Sequence, residues 1–355
     1  MAVVVGWDIG GVHLKAARAE LGRIVAAVQV AAPLRLGLER LKQSFAEAKA
    51  QIGEAEWHAV TMTGELADTF ASRAEGVVSL VDMAVGALAP ADVVVYAGRA
   101  GFVDPAHAAR HIADIASANW FATASLVAKT RGSALFMDMG STTTDIVPVV
   151  DGMVAARGYT DAERLACGEL AYTGLTRSFL MASAERAPFG GNWTRLINEN
   201  FATMADVQRV LGSLPDGLDH MATADGRPKT AAASRARLAR MVGRDAHDAD
   251  GQTWAALAQW FAECQIRAVS DGAMLVLSQG SLPAQAPIVA AGAGGAVLGE
   301  VARRLGRDCI AFDSLLDIAP SVGAAAAIGA PAAALAVLAS SHADARAKAR
   351  AGASA

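Results

Sequence analysis

The chain has 355 residues, 53% hydrophobic and 19% charged, and its 31 Lys and Arg against 35 Asp and Glu leave a formal net charge of -4. At roughly 100–200 residues per domain this length predicts two lobes, each able to bury a core, and a near-neutral chain without a basic block excludes a nucleic-acid surface, which rests on cationic contacts to phosphates. Aromatics are 5% and the cysteines, Cys167, Cys264 and Cys309, form no CxxC, which argues against a base-stacking platform, a disulfide framework and a zinc or iron–sulfur site. The N-terminus has no basic region and meets Asp8 early, so no signal peptide is expected. The longest apolar run, 322–339, is mostly Ala and Gly with Pro331, which predicts an interior helix rather than a membrane span. A cytoplasmic protein is expected.

In chain order, Ala2–Val5 reads as a strand, Asp8-Ile9-Gly10-Gly11 as a turn, and the alternation from Val12 to Ala17 as a second strand. Gly22-Arg23 turns it into a third, Ile24–Val28. Leu36–Ile52 has helical spacing, and His58–Met62 is a strand that ends at Thr63-Gly64-Glu65. The theme then returns: strand Ser133–Met137, loop Asp138–Asp145, strand Ile146–Val150 and turn Asp151-Gly152. Two copies of strand, DxG, strand, turn predict a duplication that gives paired lobes. Residues 165–250 mix polar and aromatic side chains and read as an inserted, substrate-facing segment. A long helix is expected over Trp254–Leu277, then strand Pro287–Ala291, the glycines 292–295 and a helix through Arg304. The tail 340–355 is expected to be disordered.

Three motifs could carry chemistry. The first is the Asp8 turn with Gly10, Gly11, His13 and Lys15: glycines let backbone N–H groups approach phosphate oxygens, and an aspartate at a strand end can hold Mg²⁺. The second, Asp138-Met139-Gly140-Ser141-Thr142-Thr143-Thr144-Asp145, sets hydroxyls for phosphate between carboxylates for its metal. Asp8, Asp138 and Asp145 are the candidate metal ligands. The third, Gly292-Ala293-Gly294-Gly295, follows a strand and opens a helix, as phosphate-binding turns do. Hairpin turns and close packing are the bland explanations of the same residues.

In this order the motifs resemble the phosphate-one, phosphate-two and adenosine motifs of the actin/sugar kinase/Hsp70 superfamily. Further stretches, Gly168-Glu169-Leu170-Ala171-Tyr172-Thr173-Gly174, Asn200–Val207, Ala224-Asp225-Gly226-Arg227 and Arg237–Met241, resemble its hydantoinase A/oxoprolinase branch, over residues 3–335. Within that branch the match is closest to a small-chain family linked to tetrahydromethanopterin-dependent one-carbon metabolism. The resemblance implies an α/β fold of two actin-like (ribonuclease H-like) lobes with a central cleft. The first lobe would span 1–130 and the second 131–335, carrying the insert. It also implies methanofuran (methylofuran) biosynthesis. A transferase would join an aminomethyl-furanmethanol diphosphate to a tyramine-type phenol and release diphosphate, using Mg²⁺ and not ATP.

Such chemistry needs the leaving group neutralised, water excluded and the phenol oxygen held in line. Lys15 and Arg177 are candidate phosphate contacts, as are the arginines of 235–240; Tyr172, Arg177 and Asp225 are candidate substrate contacts. A phenol starts near pKa 10 and calls for a base. Glu169, Asp206, Asp225, His13 and His111 all qualify, and the sequence does not choose among them. His107 with His111 reads as a surface helix pair, and Asn119-Trp120 and Asn192-Trp193 as candidate pocket walls. Cys167 carries no mark of a nucleophile. A competing reading from the same motifs is an ATP-dependent small-molecule kinase or ring-opening amidohydrolase; a nucleotide-gated scaffold is a third. Only small-molecule partners are expected, with no nucleic acid and no membrane.

Overall fold

A computed structural model describes residues 3–353 of the chain. The opening meander forms as the alternation predicts: β1 (Val4–Ile9), β2 (His13–Glu20) and β3 (Arg23–Ala31) pair antiparallel in sequence. Asp8 is thus the penultimate residue of a strand rather than the first of a loop. α1 (Leu38–Ile52), β4 (Trp57–Met62), α2 (Arg73–Leu88), β5 (Asp92–Tyr96), β6 (Phe102–Val103), α3 (Ile112–Ile115) and α4 (Asn119–Arg131) follow. The sheet order is β3-β2-β1-β4-β5-β6, with β1, β4 and β5 parallel. Helical crossovers bury both faces of such strands, which is why every residue of β1 is buried. Phe45 of α1 and Leu80 of α2 pack on one face; Ala122 of α4 with Leu335 and Ala339 from late in the chain pack on the other.

The theme repeats in β7 (Ala134–Met139), β8 (Thr144–Val150) and β9 (Met153–Val154), followed by α5 (Asp161–Cys167), β10 (Leu170–Ala171), α6 (Leu180–Ser183), β11 (Arg186–Phe189), β12 (Asn192–Arg195), α7 (Met204–Leu211), α8 (Ala231–Met241), α9 (Gly251–Leu277), β13 (Ile288–Ala291), α10 (Gly295–Arg304), β14 (Cys309–Ala311), α11 (Gly323–Ile328) and α12 (Ala330–Ala353). The second sheet runs β10-β8-β7-β13-β14, with β9 on β8. In both sheets the first strand has its hairpin partner on one side and the next strand after a helical excursion on the other: β2-β1-β4 and β8-β7-β13. The insert is a packed body, because Leu180, Ala187, Met204, Val207 and Leu238 share a core with Trp254, Leu257 and Phe261 at the start of α9.

Contacts divide the chain into one unit of residues 1–136, 147–161 and 310–355 and another of 137–146 and 162–309. This differs from a second lobe running continuously over 131–335, because the chain returns to the first unit through α12. The expectation of a disordered 340–355 is corrected as well. α12 stays helical to Ala353, and its Ala, Arg and Lys residues are strong helix formers; Ser354 and Ala355 lie outside the described residues. The Ala-rich stretch is an interior helix, with 330 and 332–336 fully buried. Among the described residues no helix is long and apolar enough to cross a membrane.

Small side chains are what this packing demands. A Cβ on Gly6 of β1 would overlap the Ala332 carbonyl and stand 2.6 Å from the Ala336 amide nitrogen. Neither backbone can yield by a rotamer change, so Gly6→Ala is expected to destabilise the protein by about 1–3 kcal/mol or more, read as a lower urea midpoint.

On the opposite side of that strand pair, Trp7 Nε1 donates to His58 Nδ1 at 3.0 Å, and the enclosed His58 Nε2 has no partner among the described residues. Burial, and then the charge of Lys49, push the His58 imidazolium down to about 4. The unfolded chain therefore binds the extra proton more readily. The stability contributed by neutral His58 is complete above its ordinary value near 6.5 and is lost as pH falls towards 4. That loss amounts to roughly 3 kcal/mol. His58→Asn keeps an acceptor for Trp7 but cannot titrate, so its urea midpoint should fall less between pH 7 and 4.5 than the wild type's.

Candidate functional site

The first unit presents Asp8 at the end of β1. The tip closes through a hydrogen bond from Gly10 N–H to the His13 carbonyl at 2.9 Å. Asp8 faces Lys15 across the β1–β2 pair, with Nζ 3.6 Å from Oδ2. Lys15 is thus directed onto the aspartate, and His13 is buried beneath the tip. Gly11 has no heavy atom within 4 Å of where a Cβ would stand, so this flank of the tip is open.

The second unit closes its tip with the same bond, Gly140 N–H to the Thr143 carbonyl at 2.9 Å. A segment from the insert fastens it: the Leu175 amide donates to the Gly140 carbonyl, and the Thr176 and Arg177 amides both donate to Ser141. Arg177 also places Nη1 3.1 Å from Thr142 Oγ1, while Ser141 and Thr142 face each other at 3.4 Å. From the other side comes the third glycine motif. The Gly294 amide donates to the Met139 carbonyl at 2.9 Å. Gly292, at φ 82°, passes so close that any Cβ would overlap Asp138 Oδ1. Gly295 opens α10 with clear space beside it. Asp138, the hydroxyl turn, Arg177 and a helix N-terminus therefore converge within one unit, an arrangement suited to a phosphorylated anion.

Several expected site residues are placed elsewhere, each held by a partner distant in sequence. Asp145 is not presented to a metal: Arg164, itself buried, donates to its Oδ1 at 2.8 Å and to the Glu169 carbonyl at 2.9 Å. Glu169 is fully buried at the base of β10. Asp206 is no free base, because it completes the capping box of α7 with Thr203 and accepts from Ser234, at 2.8 Å, and from Arg237. Arg237 is 1% exposed and also reaches Asp225 at 3.0 Å. Burial opposes ionisation of Asp225, but the Arg227 amide and the Arg237 charge hold its carboxyl below the usual range. Tyr172 is largely exposed, and Trp193 is half-exposed under the Arg186 guanidinium. Trp120 is core, packed against Phe121 and Tyr159, rather than a pocket wall. His111 pairs with Asp114 at 3.4 Å. Sequence reasoning missed Arg164 and Glu65; a lone arginine and a lone glutamate carry no local pattern that marks them as buried.

Among the described residues no group of three or more His, Cys, Asp or Glu is gathered to hold a metal. Mg²⁺ commonly binds through one or two carboxylates together with substrate phosphates and waters. The Asp138 tip fits an ion of that kind arriving with a phosphorylated ligand, and does not fit an all-protein cage.

The family model described as Hydantoinase/oxoprolinase matches residues 56–334. A Methanocaldococcus jannaschii protein named (4-{4-[2-(gamma-L-glutamylamino)ethyl]phenoxymethyl}furan-2-yl)methanamine synthase is 31% identical over 244 residues, covering 68% of this chain and 72% of that protein. A Methanococcus vannielii protein of the same name is 36% identical over 113 residues, 32% of this chain and 50% of its own length. Among solved structures, nucleotide-free acetone carboxylase aligns with 94% of this chain and 70% of its own, at 11% identity and a TM-score of 0.56. That likeness is one of fold, and the fold is α/β with two actin-like lobes.

The Asp206–Arg237–Asp225 group tests the division between structural and functional carboxylates. Removing one member of a buried ion pair strands the other, at about 3–5 kcal/mol. Arg237→Met should lower stability by that order in urea unfolding, whereas Thr142→Ala at the tip should leave the midpoint within experimental scatter.

Proposed function

The chain belongs to the hydantoinase/oxoprolinase family, and from that premise we propose that it is a transferase forming a furan-methyl aryl ether. The donor is an aminomethyl-furanmethanol diphosphate and the acceptor a tyramine-type phenol carrying a γ-glutamyl tail, in a methanofuran-type pathway. The observation that carries the reading is the convergence of Asp138, the Ser141–Thr143 hydroxyls, Arg177 and the open N-terminus of α10 on one anion site, in a chain whose relatives are named for a phenoxymethyl-furan product.

The chemistry follows from where charge develops. As the furfuryl C–O bond breaks, the bonding pair leaves with the diphosphate, and the electron-rich furan stabilises the carbon it departs from. The protein's task is to hold the leaving oxygens. In this reading Gly140 and the 141–143 turn cradle the diphosphate, Arg177 supplies a guanidinium beside Thr142, and the first turn of α10 adds backbone N–H groups. Asp138 is the residue that would hold magnesium, whose charge would neutralise the departing oxygens. Lys15, 3.6 Å from Asp8, reaches a phosphate oxygen only in exchange for that contact.

The Gly292–Gly295 turn against Asp138 also has the place of a nucleotide-binding turn, which favours an ATP-dependent kinase or amidohydrolase as the second reading. Incubation with a furfuryl diphosphate, tyramine and Mg²⁺ separates the two. Ether and diphosphate should appear without ATP, as followed by mass spectrometry and a phosphate assay. An obligatory need for ATP would transfer the assignment to the second reading. Asp138→Asn should lower kcat by about 100-fold or more while moving Tm by a few degrees at most.

A further inference from the structure

One buried side-chain amide of the second unit reaches the segment that fastens the anion site. Gln265, four residues past Phe261 on α9, is 2% exposed. Its Nε2 donates to Thr173 Oγ1 at 2.9 Å and to the Gly174 carbonyl at 2.8 Å. Its Oε1 is enclosed and has no hydrogen-bond partner among the described residues. The amide is fixed this way round, because the Gly174 carbonyl can only accept and an oxygen turned towards it would bring no proton. An orphaned acceptor inside a protein is unfavourable, and here the other half of the same side chain offsets it by fastening residues 173 and 174.

That segment lies directly on the tip. A Cβ on Gly174 would stand 2.5 Å from the Thr142 amide nitrogen and 2.6 Å from the Ser141 carbonyl carbon, so the two backbones touch and neither shifts without the other. The Thr144 hydroxyl donates to the Thr173 carbonyl at 2.7 Å, and the Gly174 amide donates to Ser178 Oγ at 2.8 Å. α7 holds the far end: its Met204 and Ala205 amides donate to the Ser178 and Thr176 carbonyls, at 2.9 and 3.0 Å. Between these anchors stand residues 175–177, whose amides close on Gly140 and Ser141 and whose Arg177 guanidinium reaches Thr142. Both anchoring helices belong to the packed insert, whereas the turn they fix joins β7 to β8.

We propose that Gln265 is a positioning residue of the diphosphate site: by holding Thr173 and Gly174 it sets where Arg177 and the Ser141–Thr142 turn stand, and with that the affinity for a magnesium-bound diphosphate. The assignment rests on the reading of this tip as the leaving-group site. Gln265, enclosed, acts through the segment alone. An apolar side chain of the same length would fill its space yet leave the Gly174 carbonyl without its donor, and the segment would settle in a new place to find one. Groups arranged around an anion lose much of their worth when displaced by a fraction of an ångström.

Calorimetry with inorganic diphosphate and Mg²⁺, on the folded full chain well below its Tm, tests this. Gln265→Met keeps the length and loses the donor, so its Kd should rise about tenfold, the worth of one charge-assisted contact displaced. Leu257→Ala loosens the insert core but removes none of the segment's hydrogen bonds, and once folded it should bind as the wild type does. Gln265→Glu separates position from stability. Its carboxyl, whose pKa burial raises, donates to the Gly174 carbonyl while protonated and cannot once ionised. Its Kd relative to the wild type's at the same pH should therefore start near unity at about pH 5 and climb towards about pH 8. That arm stands even if Gln265→Met fails to fold. Unchanged affinity in Gln265→Met, an equal loss in Leu257→Ala, or a Gln265→Glu ratio that stays flat with pH overturns the assignment alone. A wild type that binds no diphosphate overturns the leaving-group reading, and this assignment with it.

Discussion

Both tips of the protein are closed by one hydrogen bond, from the glycine amide of an Asp-x-Gly turn to the carbonyl three residues on, at 2.9 Å in each unit. The bond forces the chain to reverse immediately after the aspartate. The carboxylate is therefore held by a strand on one side and a turn on the other, with no flexible loop between. In the second unit carbonyls of the turn also accept the 175–177 amides, so the insert is fastened to the tip by backbone bonds, to which Arg177 adds a side-chain bond on Thr142. The backbone bonds close the turn, while the Thr142 hydroxyl accepts from Arg177 and faces Ser141.

The same economy separates carboxylates that build the fold from those that serve a site. Asp206 is a capping residue, an ion-pair partner of Arg237 and an acceptor for Ser234. A buried carboxylate with that many fixed donors is anchored, and moving a proton onto it would break the donors' alignment. Asp145 is anchored likewise by Arg164. Glu65 differs in kind: one oxygen is held by a neutral hydroxyl and the other is left over. An oxygen left over in this way carries the desolvation cost of an unsatisfied acceptor.

The sequence made the backbone plan legible because its cues are local. Alternation at 12–17 and the Asp151-Gly152 turn act within a few residues and appear where they were expected, whereas the first reversal is made by Leu21-Gly22 one residue earlier than expected and both aspartates of the Asp-x-Gly repeat lie at strand ends instead of opening loops. The convergence of the Gly292 turn on Asp138 was legible only as two separate motifs, because a contact across more than 150 residues leaves no spacing signature. The fate of Asp206 and Asp225 was hidden for the same reason: the Ser234–Arg240 run looks like a solvated arginine face, yet Arg237 alone points inward. At the C-terminus helix propensity prevailed over the charged, low-complexity look of the tail.

The two tips share one closing geometry, but the charges placed on them differ. At the first tip the cation and the carboxylate neutralise each other, Lys15 on Asp8. A phosphate there must displace an existing partner, and its net gain is the difference between two ion pairs. At the second tip Arg177 places its guanidinium on the Thr142 hydroxyl, and the N-terminus of α10 adds partial positive charge within the same unit. A phosphorylated anion at this tip would meet the Arg177 guanidinium and the partial positive charge of the α10 N-terminus together, and that is the electrostatic basis of the proposed leaving-group site.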